Sequence, residues 1–163
     1  MKYRVTAGSL VVKARSRLHD VQTTWSKITG EVDADASAIE GAHAAFVVDM
    51  TAFDAGDFIK NRKLRSDFQL EANPSAKFVL RAVKDVVRDG AKFTATAEGV
   101  LSWRGKDVVL ALAGRGTLDD MRVEATATFE LDIRKLGLSA PRFLMIKMDD
   151  EVSVEVRVAG EPA

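Results

Sequence analysis

The alternation of Val123, Ala125, Ala127, Phe129, Leu131 and Ile133 with Glu124, Thr126, Thr128, Glu130, Asp132 and Arg134 restricts this chain more than any other feature. Side chains two residues apart share a face only in an extended strand, so the segment has one dry face and one wet face. The same split separates Phe93, Ala95, Ala97, Gly99 and Leu101 from Thr94, Thr96, Glu98 and Ser102, with Val100 the exception. It recurs as Val152, Val154, Val156 and Val158 against Glu151, Ser153, Glu155 and Arg157. Leu10, Val12, Ala14 and Ser16 oppose Val11, Lys13, Arg15 and Arg17, while Ser26, Ile28, Gly30 and Val32 oppose Lys27, Thr29, Glu31 and Asp33. Strands over residues 43–51, 77–87 and 106–113 bring the total to about eight.

Turn residues punctuate these runs at hairpin spacing. Asp89-Gly90 suits a type I′ turn, and Arg104-Gly105-Lys106 and Arg115-Gly116-Thr117 read as further hairpins. Between residues 52 and 70 the spacing of Phe58, Leu64 and Phe68 is helical, with Asp54 or Asp57 as cap and Pro74 beyond. The expected fold is all-β: a single domain over residues 1–163, an antiparallel eight-stranded up-and-down barrel with one helix between the third and fourth strands. A sandwich is the alternative arrangement of the same strands.

Composition removes several function classes. The 163 residues include no cysteine, which excludes thiolate metal sites, iron–sulfur clusters and cysteine nucleophiles, and two histidines leave little for zinc or triad chemistry. Basic and acidic residues balance at 24 each, so no net field draws the chain to nucleic acid. No apolar run approaches the roughly 18 residues of a spanning helix, which argues against stable membrane insertion. The first residues lack the apolar stretch of a signal peptide, so the expected compartment is the cytoplasm, or the periplasm if such a peptide has been removed.

The apolar fraction is unusual: 23 alanines and 19 valines against 7% aromatics. The expected inward set includes Ala14, Ser16, Ser26, Gly30, Ala95, Ala97, Gly99, Ala111, Ala113, Ala125 and Ala127, which are too small to reach a barrel axis. Interiors are close-packed, so a barrel lined this way leaves room for an apolar guest. A flattened barrel whose faces meet is the competing reading.

Other motifs reduce to structure. Gly114-Arg115-Gly116-Thr117-Leu118-Asp119 starts like a dinucleotide fingerprint but lacks the third glycine, and reads as a hairpin. Asp33, Asp35 and Ser37 imitate half an EF-hand loop, but Ala38 and Ala44 occupy positions that need glycine and glutamate. His19 beside Asp20, and His43, read as strand-end residues without a catalytic role. Lys60, Arg62, Lys63 and Arg65 form a basic cluster on the helix, a solvated face or a partner for an acidic headgroup.

The run Met50-Thr51-Ala52-Phe53-Asp54-Ala55-Gly56-Asp57, followed by Asn61-Arg62-Lys63-Leu64-Arg65-Ser66-Asp67-Phe68 and Asn73-Pro74-Ser75-Ala76-Lys77-Phe78, resembles the central signature of the YceI-like, polyisoprenoid-binding family. Gly99-Val100-Leu101-Ser102-Trp103-Arg104-Gly105-Lys106, Asp132-Ile133-Arg134-Lys135-Leu136-Gly137-Leu138, and Gly30 after Trp25 and Ile28 are similar to further family segments. The chain departs from many members in having Gly8-Ser9 where a histidine–serine pair is frequent, and its first residues do not read as the signal peptide many members carry. The resemblance implies a lipocalin-like barrel, a tunnel for a long apolar or amphiphilic small molecule, frequent homodimers, no cofactor and no enzyme activity.

The resulting expectation is carriage or storage of a lipid or isoprenoid-like molecule. Leu10, Val12, Ala14, Phe46, Phe78, Phe93, Ala95, Ala97, Ala125, Ala127 and Phe129 are the expected tunnel residues, and Arg62 and Arg65 the expected headgroup partners. The rivals are an interaction protein with a filled barrel and a surface seam at Trp25, Val79 and Val100, and an enzyme using His19 and carboxylates on a small apolar substrate.

Overall fold

The computed structural model describes residues 1–143 and 146–163. These residues run through β1 (Lys2–Arg15), β2 (Asp20–Trp25), β3 (Ile28–Asp35), β4 (Ala38–Asp49), β5 (Phe53–Asp54), helix α1 (Phe58–Asp67), β6 (Ser75–Asp89), β7 (Lys92–Trp103), β8 (Lys106–Leu118) and β9 (Val123–Asp132). A 3₁₀ turn (Ile133–Leu136), β10 (Arg142–Phe143), β11 (Ile146–Lys147) and β12 (Glu151–Pro162) complete them.

Eight strands close an antiparallel barrel in the order β1, β12, β9, β8, β7, β6, β4, β3, with β3 returning to β1. Closure gives each barrel strand a partner on both sides, although β4 and β6 pair only from Ala45–Asp49 to Ser75–Val79. β1 is shared. Its first residues pair with β3, Arg4 opposite Glu31, and its last with β2, Leu10 opposite Trp25. The register is the same on both sides of the gap, so β2 and β3 are two halves of one strand, interrupted at Ser26 and Lys27. Gly8 lies in the gap, where an added Cβ would stand 3.1 Å from the Cβ of Ile28.

Helix position and three local details differ from the sequence expectation. The helix follows β5 rather than directly following a third strand, because the chain first adds Phe53 and Asp54 to β2, outside the barrel. The β6–β7 loop is Gly90-Ala91, since Asp89 pairs with Lys92, and Gly90 alone of these has positive φ (61°), the pattern of a type II′ turn. The type I′ pattern lies instead at Arg104-Gly105, with φ of 57° and 73° between paired Trp103 and Lys106. Arg115-Gly116-Thr117 is no turn at all but the interior of β8, where Gly116 lets β9 approach: its Cβ would stand 2.9 Å from the Cα of Ala125.

Helix α1 is short and mostly polar. Asp57 caps it by accepting from the Lys60 amide at 2.8 Å, Leu64 is buried, and Phe58 and Ile59 remain exposed. Among the described residues no helix is long and apolar enough to cross a membrane.

The core is divided. One cluster gathers Trp25, Met50, Leu64, Leu70, Trp103, Leu112, Leu131, Leu136, Met148 and Val152 at the α1 end of the barrel. The other gathers Tyr3, Ala34, Ile39, Leu118 and Val123 at the opposite end. Between them one half of the wall carries small inward side chains.

Candidate functional site

Strand register shows where the missing volume lies. Gly8, Val158, Ala125, Gly116 and Phe93 stand side by side across β1, β12, β9, β8 and β7, and Leu10, Val156, Ala127, Gly114 and Ala95 form the next inward row. Two successive rows over five strands therefore carry three alanines, three glycines and two valines, with only Leu10 and Phe93 larger. Strand spacing of about 4.8 Å and alternation make these rows one half of the barrel wall.

The facing wall carries large rings but holds them flat. Phe46 is paired with Gly30, and an added Cβ on Gly30 would sit 2.8 Å from Cδ1 of Phe46. Phe78 lies over Gly99 in the same way, with the position of an added Cβ only 2.7 Å from its Cε2. Each glycine lets a ring lie against the sheet instead of crossing the lumen.

The result is an internal cavity of about 300 Å³. Its lining draws on both end clusters, from Leu118 and Val123 to Trp103 and Leu136, so the lumen runs through the barrel. Arg115 and Thr126 are the polar lining residues, and both occupy the outward phase of their strands, between Gly114 and Gly116 and between Ala125 and Ala127. The lumen therefore meets their backbone, and the other lining side chains among the described residues are apolar.

Both ends are shut. At the α1 end Trp25 Nε1 donates to Met50 O at 3.1 Å, Trp103 Nε1 to Asn73 O at 2.8 Å, and Arg104 Nη1 to Phe68 O at 2.7 Å. These bonds fasten the segment that carries Phe68 over the lumen. The Arg104 guanidinium also lies 5.7 Å from the Trp103 ring centroid, while its buried Nε has no hydrogen-bond partner among the described residues. At the other end Tyr3, 1% exposed, donates to Asp119 O at 2.6 Å and ties β1 to the β8–β9 turn. Burial, then the charges of Asp120, Asp119 and Asp35, raises the Tyr3 pKa above the usual value.

Of the residues expected along the tunnel, Leu10, Val12, Phe46, Phe78, Phe93, Ala95, Ala97, Ala125, Ala127 and Phe129 line this cavity. Ala14 does not; it packs against the α1-end cluster beyond the lumen. Arg62 and Arg65 do not reach the lining either. Arg65 is engaged elsewhere, 5.2 Å above the Phe53 ring and 3.3 Å from Glu71, whereas Arg62 is exposed on the helix surface.

Further inward assignments need correction. Ala111 and Ala113 face outward, and Leu110, Leu112 and Gly114 take the inward phase of β8. Ser26 is exposed at the break between β2 and β3, and Ser16 belongs to the β1–β2 turn, where its hydroxyl donates to His19 O at 2.7 Å. Trp25 is buried in the interior and cannot belong to a surface seam. Val79 and Val100 do share the outer face, in a row with Ala45 and Val109. Leu80, Leu110, Leu112, Gly114 and Val156 line the cavity without having been among the expected tunnel residues; cross-strand pairing is the signal that identifies them.

His19 lies in the β1–β2 turn and His43 is exposed on β4, which separates them by the length of the barrel wall. Asp35 accepts from the amide and hydroxyl of Ser37, closing the β3–β4 turn. No group of three metal-ligating side chains occurs among the described residues. A larger depression of about 830 Å³ on the outer wall mixes Arg88, Lys92, Arg115 and Arg157 with Asp89 and Glu124. It is a face open to water; the apolar lumen inside the barrel is the candidate site.

A family model described as a YceI-like domain matches residues 3–159. No curated protein matches the chain. Among solved structures, a polyisoprenoid binding domain from Saccharophagus degradans implicated in plant cell wall breakdown is similar at 14% identity, covering 99% of this chain and 98% of its own, with a TM-score of 0.80. Burkholderia cenocepacia BcnA is similar at 17% identity, with 93% and 95% covered and a TM-score of 0.76. The Campylobacter jejuni YCEI protein is similar at 12% identity, with 91% and 90% covered and a TM-score of 0.71. At these identities the likeness establishes the barrel fold.

Proposed function

The chain belongs to the YceI-like domain family, and on that premise we propose that it binds an apolar small molecule in the barrel lumen and serves as its carrier or store. One observation carries this reading: a cavity of about 300 Å³ inside the barrel with apolar walls, bounded at both ends by packed side chains. At ~24 cal/mol per Å³, leaving such a space empty costs about 7 kcal/mol, comparable with the whole stability of a domain. A guest that supplies the missing contacts offsets that cost, at ~0.8 kcal/mol per buried methylene. The description of the Saccharophagus domain as polyisoprenoid binding supports the same ligand class.

The contact residues in this reading are the ten expected tunnel residues on the lining, joined by Leu80, Leu110, Leu112 and Val156. Arg62 is the helix cation available to a headgroup left outside; Arg65 would have to give up Phe53 and Glu71. In this reading the chain acts by binding rather than catalysis; among the described residues the lining holds no carboxylate or imidazole. A neutral, environment-sensitive dye added to delipidated protein should brighten saturably with one site per chain. Absence of any saturable signal in folded protein would count against the proposal.

A second reading rests on the outer row Ala45, Val79, Val100 and Val109, of which Val109 is 78% exposed. If this row is the seam of a homodimer, Val100→Lys converts a dimer to a monomer in sedimentation without altering dye uptake.

A further inference from the structure

We propose that the guest enters and leaves through the side of the barrel, at the unpaired seam between residues 38–44 of β4 and 80–89 of β6, a claim that rests on the apolar-ligand reading above. The seam is written into the strands. On β4 the lining residues Ala42, Ala44, Phe46 and Val48 keep a strict period of two. On β6 the lining residues Phe78 and Leu80 are followed by Val83, three positions on, so one extra residue has been inserted. That residue is Arg81, at the register shift between the pairs Leu80–Gly99 and Ala82–Glu98. From there the two strands are out of phase. Carried past Ala45–Val79, the ladder would set Ala42, which faces the lumen, against Ala82, which shares the outer face with its β7 partner Glu98. A slip of one residue exchanges the two faces, so pairing stops. Beyond a second shift, between Lys84 and Val87, the same register would set buried Ile39 against exposed Asp85, whose φ is 53°.

The lumen lies behind this seam. Ile39, Ala42 and Ala44 on one side and Leu80 and Val83 on the other all line it. Side chains close it: Ile39, Ala42, Val83 and Val86 pack into the Tyr3-end cluster, and Val86 does so from outside the lining. The alternatives are fastened. At the α1 end Trp25, Trp103 and Arg104 donate to the backbone of Met50, Asn73 and Phe68, and Leu70 is fully buried beside them. At the other end Tyr3 is held by Asp119 O. The short break between β2 and β3 is filled by Ile28 against Gly8. Parting the other strands means breaking ladder hydrogen bonds, whereas parting the seam separates apolar side chains and leaves every ladder intact. Its edges also repel a foreign strand, since the two shifts and the exposed Arg81, Lys84 and Arg88 are features that block edge pairing. A small molecule suits this opening better than an added peptide.

Stopped-flow uptake and displacement of a neutral dye test the passage. The chain has no cysteine, so Glu40→Cys with Lys84→Cys places one unique thiol on each exposed side of the seam. Bridging them with a flexible bismaleimide should slow dye entry and exit alike by at least about tenfold relative to the same variant capped with N-ethylmaleimide, with affinity unchanged within about twofold. Val86→Ala, which thins the closure without altering the lining, should speed both rates at least about fivefold at the same affinity. Arg104→Asn, which loosens the α1 end, should leave both rates within about twofold of wild type. Equal rates in bridged and capped protein, or faster exchange in Arg104→Asn but not in Val86→Ala, would overturn the lateral passage and leave the apolar-ligand proposal standing. Hydrogen exchange reads the seam without a ligand. The amides of residues 40–44 and 81–87 that do not serve the β3 and β7 ladders should exchange at least about a hundredfold faster than those of residues 125–131. Equal protection would show a closed ladder and overturn the passage. Absence of saturable dye binding in folded wild-type protein would overturn the apolar-ligand reading and the passage together.

Discussion

Gly99 shows how a single residue shapes the interior. Its missing Cβ makes room for the Phe78 ring and for the Val79 carbonyl, which would stand 2.5 Å from an added Cβ. A clash with backbone cannot be relieved by a rotamer change, so Gly99→Ala should destabilise the fold by about 1–3 kcal/mol in urea unfolding. Gly114→Ala is the control: its nearest neighbour would be 3.5 Å away, an ordinary contact, and its stability should change by less than about 1 kcal/mol. Asp132 is a second residue with a defined consequence. It accepts from the Arg134 side chain and backbone amide at the start of the 3₁₀ turn, and the side-chain bond, followed by the backbone bond, lowers its pKa to about 2. A depressed carboxylate stabilises the fold above its unfolded value, near 4, and loses that contribution as pH falls towards 2. Asp132→Asn should therefore flatten the decline of Tm between pH 5 and pH 2, measured by thermal unfolding. The glycine roles were not legible in the sequence, because Gly116 and Gly90 look alike as letters; one admits a neighbouring strand and the other a turn.

At the scale of elements, legibility followed the contrast between the two faces of each strand. β7, β9 and β12 alternate apolar and polar residues, so their inward phase can be read directly. β8 is apolar on both phases: Leu110 and Leu112 face in while Val109, Ala111 and Ala113 face out, and local pattern cannot choose between them. β2 hid because it is short and carries a buried threonine, Thr23, between Val21 and Trp25. The helix and its cap were legible, but its attachment was not, since that depends on Arg104, thirty-six residues from Phe68 in sequence. Arg104→Asn separates the two roles of this residue. Asn-Gly is the preferred pair for a type I′ turn, so the β7–β8 hairpin should be retained. The bond to Phe68 O is lost, and the amides of Phe68, Gln69 and Leu70 should exchange with deuterium about tenfold faster or more. Unchanged exchange there would show that Arg104 does not hold the segment in place.

The whole molecule is a closed antiparallel barrel whose excess of alanine and valine has a spatial explanation. Valine, leucine and the aromatic residues form the two end clusters, while alanine and glycine concentrate on one half of the wall between them. The sequence made an under-filled barrel the expected outcome, but only strand pairing shows that the small residues stand in two adjacent rows rather than scattered around the ring. Their adjacency turns a low aromatic count into one continuous lumen. Native mass spectrometry of gently purified protein, followed by organic extraction, tests this most directly. The account predicts a chain carrying one neutral apolar molecule, released into the organic phase, or a bare chain that takes up farnesene with one-to-one stoichiometry. A bare, folded chain that takes up no neutral hydrocarbon would contradict it.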